Sequence, residues 1–265
     1  MARITTVTNQ KGGVGKTTTA HALAAGLHAA GYHVLMIDTD GQANLSDTAK
    51  ADPNRPGLYE LLETATSNPA KLPQQARQAI QRPGIDLIAA SDDLDGIELA
   101  IANAGDRRAF LLRQIVATLT EEYDHIIIDT PPTLGLMTIN ALAASNDIVI
   151  PIKAEIYALR GFAKLEDTIA KTREYYNPAL KVAGLLVTMY NPRTILTRSL
   201  YEDIQRQADR LNAHIYGPYI RQGIAIGEAQ TLQRSIFDYA PKSNPAADYA
   251  AFVKEYLAQE GNNRP

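Results

Sequence analysis

Lys11-Gly12-Gly13-Val14-Gly15-Lys16-Thr17-Thr18 follows the β-branched run Ile4-Thr5-Thr6-Val7-Thr8 and leads into a stretch of helical spacing, so it fills the turn between a first strand and a first helix. Its position matters as much as its letters. Glycines at 12, 13 and 15 permit turns closed to other residues, so successive N–H groups can converge on phosphate oxygens while the helix N-terminus adds its positive end. Lys16 supplies a charge for the β- and γ-phosphates of a nucleoside triphosphate, and the Thr17 hydroxyl a ligand for Mg²⁺. An ordinary loop of this kind has a glycine at position 10. This chain has Gln10 there and opens the loop with a second lysine, Lys11.

Outward from the loop, the spacing predicts a helix from about Lys16 to Ala30, with Ala20, Leu23, Ala24 and Leu27 on one stripe and Gly31 as its stop. Short apolar runs at Val34–Ile37, Ile85–Ala89, Ile126–Ile128, Ile148–Ile152 and Val182–Thr188 alternate with longer helical segments. That alternation predicts one α/β domain, a doubly wound, mostly parallel sheet with helices on both faces. Five of the 14 prolines fall between Ala51 and Pro83, which predicts short helices and turns there, without a domain linker. A helix is expected from Pro245 to Glu260, with Tyr249, Phe252, Val253 and Tyr256 on one face. The expected organisation is a single domain over 1–260 and a polar tail over 261–265.

A doubly wound sheet delivers functional groups at the carboxyl ends of its strands, and two carboxylate segments sit there. The run Val34-Leu35-Met36-Ile37 ends in Asp38-Thr39-Asp40-Gly41-Gln42, and Ile126-Ile127-Ile128 ends in Asp129-Thr130-Pro131-Pro132. Asp129 is assigned to Mg²⁺, which keeps much of its hydration shell and is commonly held through water. Asp38 joins the same network as a further metal-site residue, and Asp40 is the candidate to orient an attacking water.

Composition narrows the alternatives. The chain has no cysteine, which removes disulfides, thiolate metal sites, iron–sulfur ligation and cysteine nucleophiles. Its five histidines, at 21, 28, 33, 125 and 214, include no pair at the helical metal-ligand spacing of four. No apolar run approaches the roughly 18 residues needed to span a bilayer, so the expected location is the cytoplasm. With 26 Lys and Arg against 29 Asp and Glu, the net charge of -3 excludes a uniformly basic nucleic-acid protein but not a basic patch.

Together, Asn9-Gln10-Lys11 through Thr19, Asp38 through Asn44, Ile128 through Pro132 and Leu186-Val187-Thr188-Met189-Tyr190 resemble the ParA/Soj family of deviant-Walker ATPases, which includes MinD-like positioning proteins. The resemblance runs over nearly the whole chain. It implies a deviant P-loop fold that takes ATP and Mg²⁺, and a sandwich homodimer in which Lys11 reaches the phosphates of the other subunit. An added cation in trans would stabilise the charge of a phosphoryl transition state. The resemblance also implies slow, dimer-dependent hydrolysis, ATP-dependent binding to nonspecific DNA at the nucleoid, and a centromere-binding ParB-like partner that stimulates turnover, together moving plasmid or chromosome. MinD-like relatives end in a basic amphipathic membrane helix; this tail carries Lys254 and Arg264 against Glu255 and Glu260, so no membrane partner is expected.

From Tyr190 to Ile236 there are six arginines against four acidic residues, an excess of two positive charges in a chain of net -3. This is the expected DNA surface, through Arg193, Arg198, Arg206, Arg210 and Arg221, with Glu202 able to pair with Arg206 on a helix over about 195–211. The family landmark Pro-Arg-Asn, a further arginine and Glu-Ala-Pro appears here as Ile220-Arg221-Gln222-Gly223-Ile224-Ala225-Ile226-Gly227-Glu228-Ala229-Gln230. Ala225 occupies the place of the second arginine, which leaves Arg221 as its substitute. Met189 and Arg221, Gln222 and Gly223 are the candidate adenine contacts. Two rival readings remain: an ATPase that distributes a protein assembly over the nucleoid, and a metabolic ATP-dependent ligase or kinase on the same fold.

Overall fold

The computed structural model describes residues 1–94, 96–97, 101, 104–153, 162–191, 197–217 and 219–263; the side chains at 197–201 and 260–263 lie outside that description. Its sheet contains β1 (Arg3–Val7), β2 (Val34–Asp38), β3 (Asp86–Ile88), β4 (His125–Asp129), β5 (Asp147–Lys153), β6 (Lys181–Thr188) and β7 (His214–Tyr216). They lie in the order β3-β2-β4-β1-β5-β6-β7, and every neighbouring pair is parallel. The doubly wound α/β expectation therefore holds. Six strands fall on the predicted apolar runs, and β7 is an addition. Three residues at a sheet edge are too short to carry a periodic signal.

The apolar runs lack alternation because both faces of the sheet are covered. In β4, Ile126 and Ile128 enter one core with Leu112 and Ile115, whereas Ile127 enters the opposite core with Leu23 and Phe252. A third cluster, under the helices Phe162–Tyr175 and Thr197–Leu211, takes Ile148, Ile150 and Ile152 from β5. The first helix spans Lys16–Ala29, with Ala20, Leu23, Ala24 and Leu27 fully buried and Gly31 at φ 92° just beyond its end. The proline-rich segment forms short helices at Leu58–Ser67 and Leu72–Ala79, joined by a 3₁₀ turn.

The last helix runs Asn244–Asn263 and buries Tyr249, Phe252, Val253 and Tyr256 as expected. It continues past the expected boundary at 260, since a nucleated helix gains a hydrogen bond for each residue added. No helix among the described residues is long and apolar enough to cross a membrane. β1 lies between β4 and β5, and the chain leaves it towards β2 on one side while β5 leads to β6 on the other. A crevice opens at the carboxyl ends where connections diverge in this way.

Candidate functional site

The loop after β1 is held from both sides. Asn9 donates through Nδ2 to the Pro151 carbonyl at 2.7 Å and accepts the Lys11 N–H on Oδ1 at 3.0 Å. Thr188, at the end of β6, donates to the Val14 carbonyl at 2.8 Å. Gly13 and Gly15 adopt φ 68° and 84°, the left-handed region that a side chain would strain, and Gly15 caps the first helix. Val14 is buried, and Lys16 is only 7% exposed, with Nζ 3.4 Å from the Lys11 carbonyl. Burial pulls the Lys16 ammonium below its ordinary pKa, and the charges of Asp129 and Asp40 oppose that fall. A lysine held among carboxylates and out of water is a preset phosphate partner.

The two strand-end carboxylates divide their labour. Asp38 is fully buried and accepts from the Asp40 N–H at 3.1 Å, the Ser46 N–H at 2.9 Å and the Ser46 hydroxyl at 2.8 Å. Desolvation nevertheless raises its pKa to about 6, against the pull of those donors. Its oxygens are thus committed to shaping the 40–46 loop, although the sequence reading also placed it at the metal. Asp129 is equally buried, yet its carboxylate oxygens meet no well-aligned hydrogen-bond donor, with the Thr17 hydroxyl only alongside. Burial and the charge of Asp38 hold its pKa well above the usual carboxylate range, while the neighbouring Thr17 hydroxyl and Lys16 ammonium pull it down. An unsatisfied buried carboxylate beside a threonine hydroxyl fits a hydrated divalent cation. No cluster of three or more metal-ligating side chains occurs among the described residues, so such a cation would rely on Asp129, Thr17 and phosphate oxygens.

The phosphate loop borders a cleft of about 720 Å³ that Gly12, Gly13, Gly15, Lys16, Thr17 and Thr18 all line. Asp40 lines it from the turn after β2, 8% exposed, with Oδ1 accepting the Gln42 N–H at 3.1 Å. Met189, at φ 52°, lines it as well. Arg221, Gln222 and Gly223 border a separate cavity of about 480 Å³ with Tyr190 and Asn191, one residue along the chain from Met189. The candidate phosphate and base residues therefore occupy two neighbouring recesses.

The expected basic surface is differently arranged. Arg221 forms a two-pronged ion pair with Asp248, through Nε at 2.9 Å and Nη2 at 2.7 Å, which offsets part of the charge of a side chain still 38% exposed. Arg206 pairs with Asp203, three residues back on the helix, in place of the expected Glu202, and Arg210 lies 3.8 Å from Glu166. Ala225 packs against the core. Arg193 and the Arg198 side chain lie outside the described residues.

Several contacts had no sequence signal. Ser46 is an isolated hydroxyl until the fold brings it to Asp38, and Thr188 and Gln230 lie in segments noted for their resemblance with nothing to show that they reach the Val14 carbonyl and, 212 residues away, the Thr18 hydroxyl, the latter at 3.0 Å.

A family model described as an AAA domain matches residues 2–182. The chain is similar to the chromosome partitioning protein ParA of Myxococcus xanthus, 34% identical with 100% of this chain and 91% of the relative covered. It is also similar to the sporulation initiation inhibitor protein Soj of Bacillus subtilis, 35% identical over 97% of this chain and 99% of the relative. Among solved structures, the cobyrinic acid a,c-diamide synthase of Mycobacterium smegmatis with bound ADP and magnesium is 31% identical, with a TM-score of 0.82 over 100% of this chain and 97% of that one.

Proposed function

This chain belongs to the ParA/Soj family of partition and positioning ATPases, and from that premise we propose that it is an ATP-controlled dimerisation switch on DNA. The observation that carries the reading is the buried carboxylate of Asp129 lying beside Thr17 and Lys16, two residues of the phosphate loop that lines the strand-end cleft with Asp40. In this reading ATP lays its phosphates along 12–18, with Lys16 on the β- and γ-phosphates. Thr17 and Asp129 would hold Mg²⁺, which when bound neutralises phosphate charge. Asp40 orients the attacking water and accepts its proton, and its backbone N–H is fixed by Asp38. Lys11 completes the site of a second subunit, which ties hydrolysis to dimerisation.

DNA contact is proposed through Arg193, to which the family resemblance points, and Arg198, with a smaller contribution from Arg206, Arg210 and Arg221, whose charges have acidic neighbours. The test is binding to a nonspecific duplex with ATP, with ADP and without nucleotide, across a salt series, with Arg193→Ala as comparison. ATP-dependent, salt-sensitive binding lost in the variant is expected. No binding in any nucleotide state would overturn the DNA switch.

The likeness to the diamide synthase favours one competing reading, an ATP-dependent ligase. A ligase should turn over ATP with its small-molecule substrates at a rate per subunit that is independent of protein concentration. The switch requires that rate to rise with concentration as dimers form.

A further inference from the structure

The ion pair between Arg221 and Asp248 joins the candidate base cavity to the last helix. Arg221 follows β7, and its segment is tied to the end of β6 by the Tyr190 N–H donating to the Ile220 carbonyl at 2.9 Å and the Gln222 N–H donating to the Tyr190 carbonyl at 3.0 Å. Asp248, one turn into the helix Asn244–Asn263, receives three bonds from this one residue: the Arg221 N–H at 3.0 Å and Nε at 2.9 Å on Oδ2, and Nη2 at 2.7 Å on Oδ1. The acid side chain is 4% exposed, whereas the arginine side chain remains 38% exposed and lines the cavity of about 480 Å³.

Burying a carboxylate against an arginine is a poor route to stability, so the geometry it imposes is the more informative consequence. The two guanidinium bonds to one carboxylate, with the backbone N–H anchoring the same acid, fix the orientation of the guanidinium plane. A fixed guanidinium plane is a stacking surface for a nucleobase, while a mobile one must be ordered at each binding event. The same helix touches the cavity twice more. Asn244 lines it, and a Cβ on Gly223 would stand 2.7 Å from Pro245 Cγ, so the helix start packs directly on the base loop. Further along, Tyr249 Oη lies 3.3 Å from Thr19 Oγ1 on the phosphate-loop helix, which ties the two recesses to one rigid element.

We infer that Asp248 is a positioning residue for nucleobase recognition, holding the Arg221 guanidinium as a preset platform for a purine seated beside Tyr190, Asn191 and Gly223. This rests on the reading of the neighbouring cleft as an ATP site. A base without that platform would still be tethered by its phosphates, so the loss should appear only for ligands that carry a base.

The experiment measures equilibrium binding of ATP and of inorganic tripolyphosphate, each with Mg²⁺, to the unaltered chain, Asp248→Asn and Arg221→Lys. The lysine variant keeps the charge and its partner but has no plane, and it serves where Asp248→Asn does not fold. Expected is a Kd for ATP raised by about tenfold in either variant. Tripolyphosphate binding should stay within about twofold of the unaltered chain. ATP affinity unchanged in both variants overturns the inference, as does equal weakening of ATP and tripolyphosphate, which would mark a general structural role. If the unaltered chain binds tripolyphosphate as tightly as ATP, the base pocket itself fails; if it binds neither, the ATP reading fails.

Discussion

With both oxygens buried and no well-aligned donor on either, Asp129 sits in a state that costs folding free energy, and a group of that kind persists where a ligand relieves it. Asp129→Asn should therefore raise the thermal stability of the ligand-free protein, by on the order of 1–3 kcal/mol, while weakening Mg²⁺-dependent ATP binding. A calorimetric scan showing lower stability, with ATP binding intact, would count against the metal assignment. Lys16→Ala removes the buried ammonium from the phosphates and is expected to abolish nucleotide binding by titration calorimetry; normal affinity would dislodge the site. Asp40→Ala should bind ATP but hydrolyse it at least about 100-fold more slowly, the usual size of a lost proton acceptor, and unchanged turnover would remove Asp40 from the chemistry. The placement of Lys16, Asp129 and Asp40 at the carboxyl ends of the strands was legible because each stands in a motif. The commitment of Asp38 to Ser46 was not, since seven residues lie between them and only the fold turns the chain back to bring the helix Asn44–Thr48 onto the strand end.

The helices at Lys16–Ala29 and Asn244–Asn263 cross at Gly26, where a Cβ would stand 2.6 Å from Val253 Cγ2. Gly26→Ala should cost about 1–3 kcal/mol through overpacking against a stiff β-branched side chain. For a chain of this length that is a fall in melting temperature of roughly 2–4 °C per kcal/mol. Adding Val253→Ala to Gly26→Ala should recover part of the loss, and a double variant no better than additive would show that the contact is not the cause. Both helices were readable from their apolar stripes, with Ala20, Leu23, Ala24 and Leu27 on one and Tyr249, Phe252, Val253 and Tyr256 on the other. Their mutual contact was not, because a stripe states which face is buried and not what covers it.

For the whole molecule, the decisive expectation is that activity belongs to a pair of chains. Lys11→Ala should leave ATP affinity within a few-fold while lowering the maximal rate by about 10³-fold or more, in line with cations supplied in trans to phosphoryl transfer. The rate of the unaltered chain should rise with protein concentration, and a flat concentration profile would remove Lys11 from any trans role. At this scale the sequence by itself determined the class of fold, the phosphate loop and the strand-end acids, because each is written locally: glycines that permit one turn, apolar runs buried on both faces, an acid where a strand stops. Only the tertiary structure decided the sheet order, the edge strand β7, the division of labour between Asp38 and Asp129, and the capture of Arg221 by Asp248. Residues 27 positions apart on different elements share no periodicity, and an ion pair between them exists only once packing has brought the elements together.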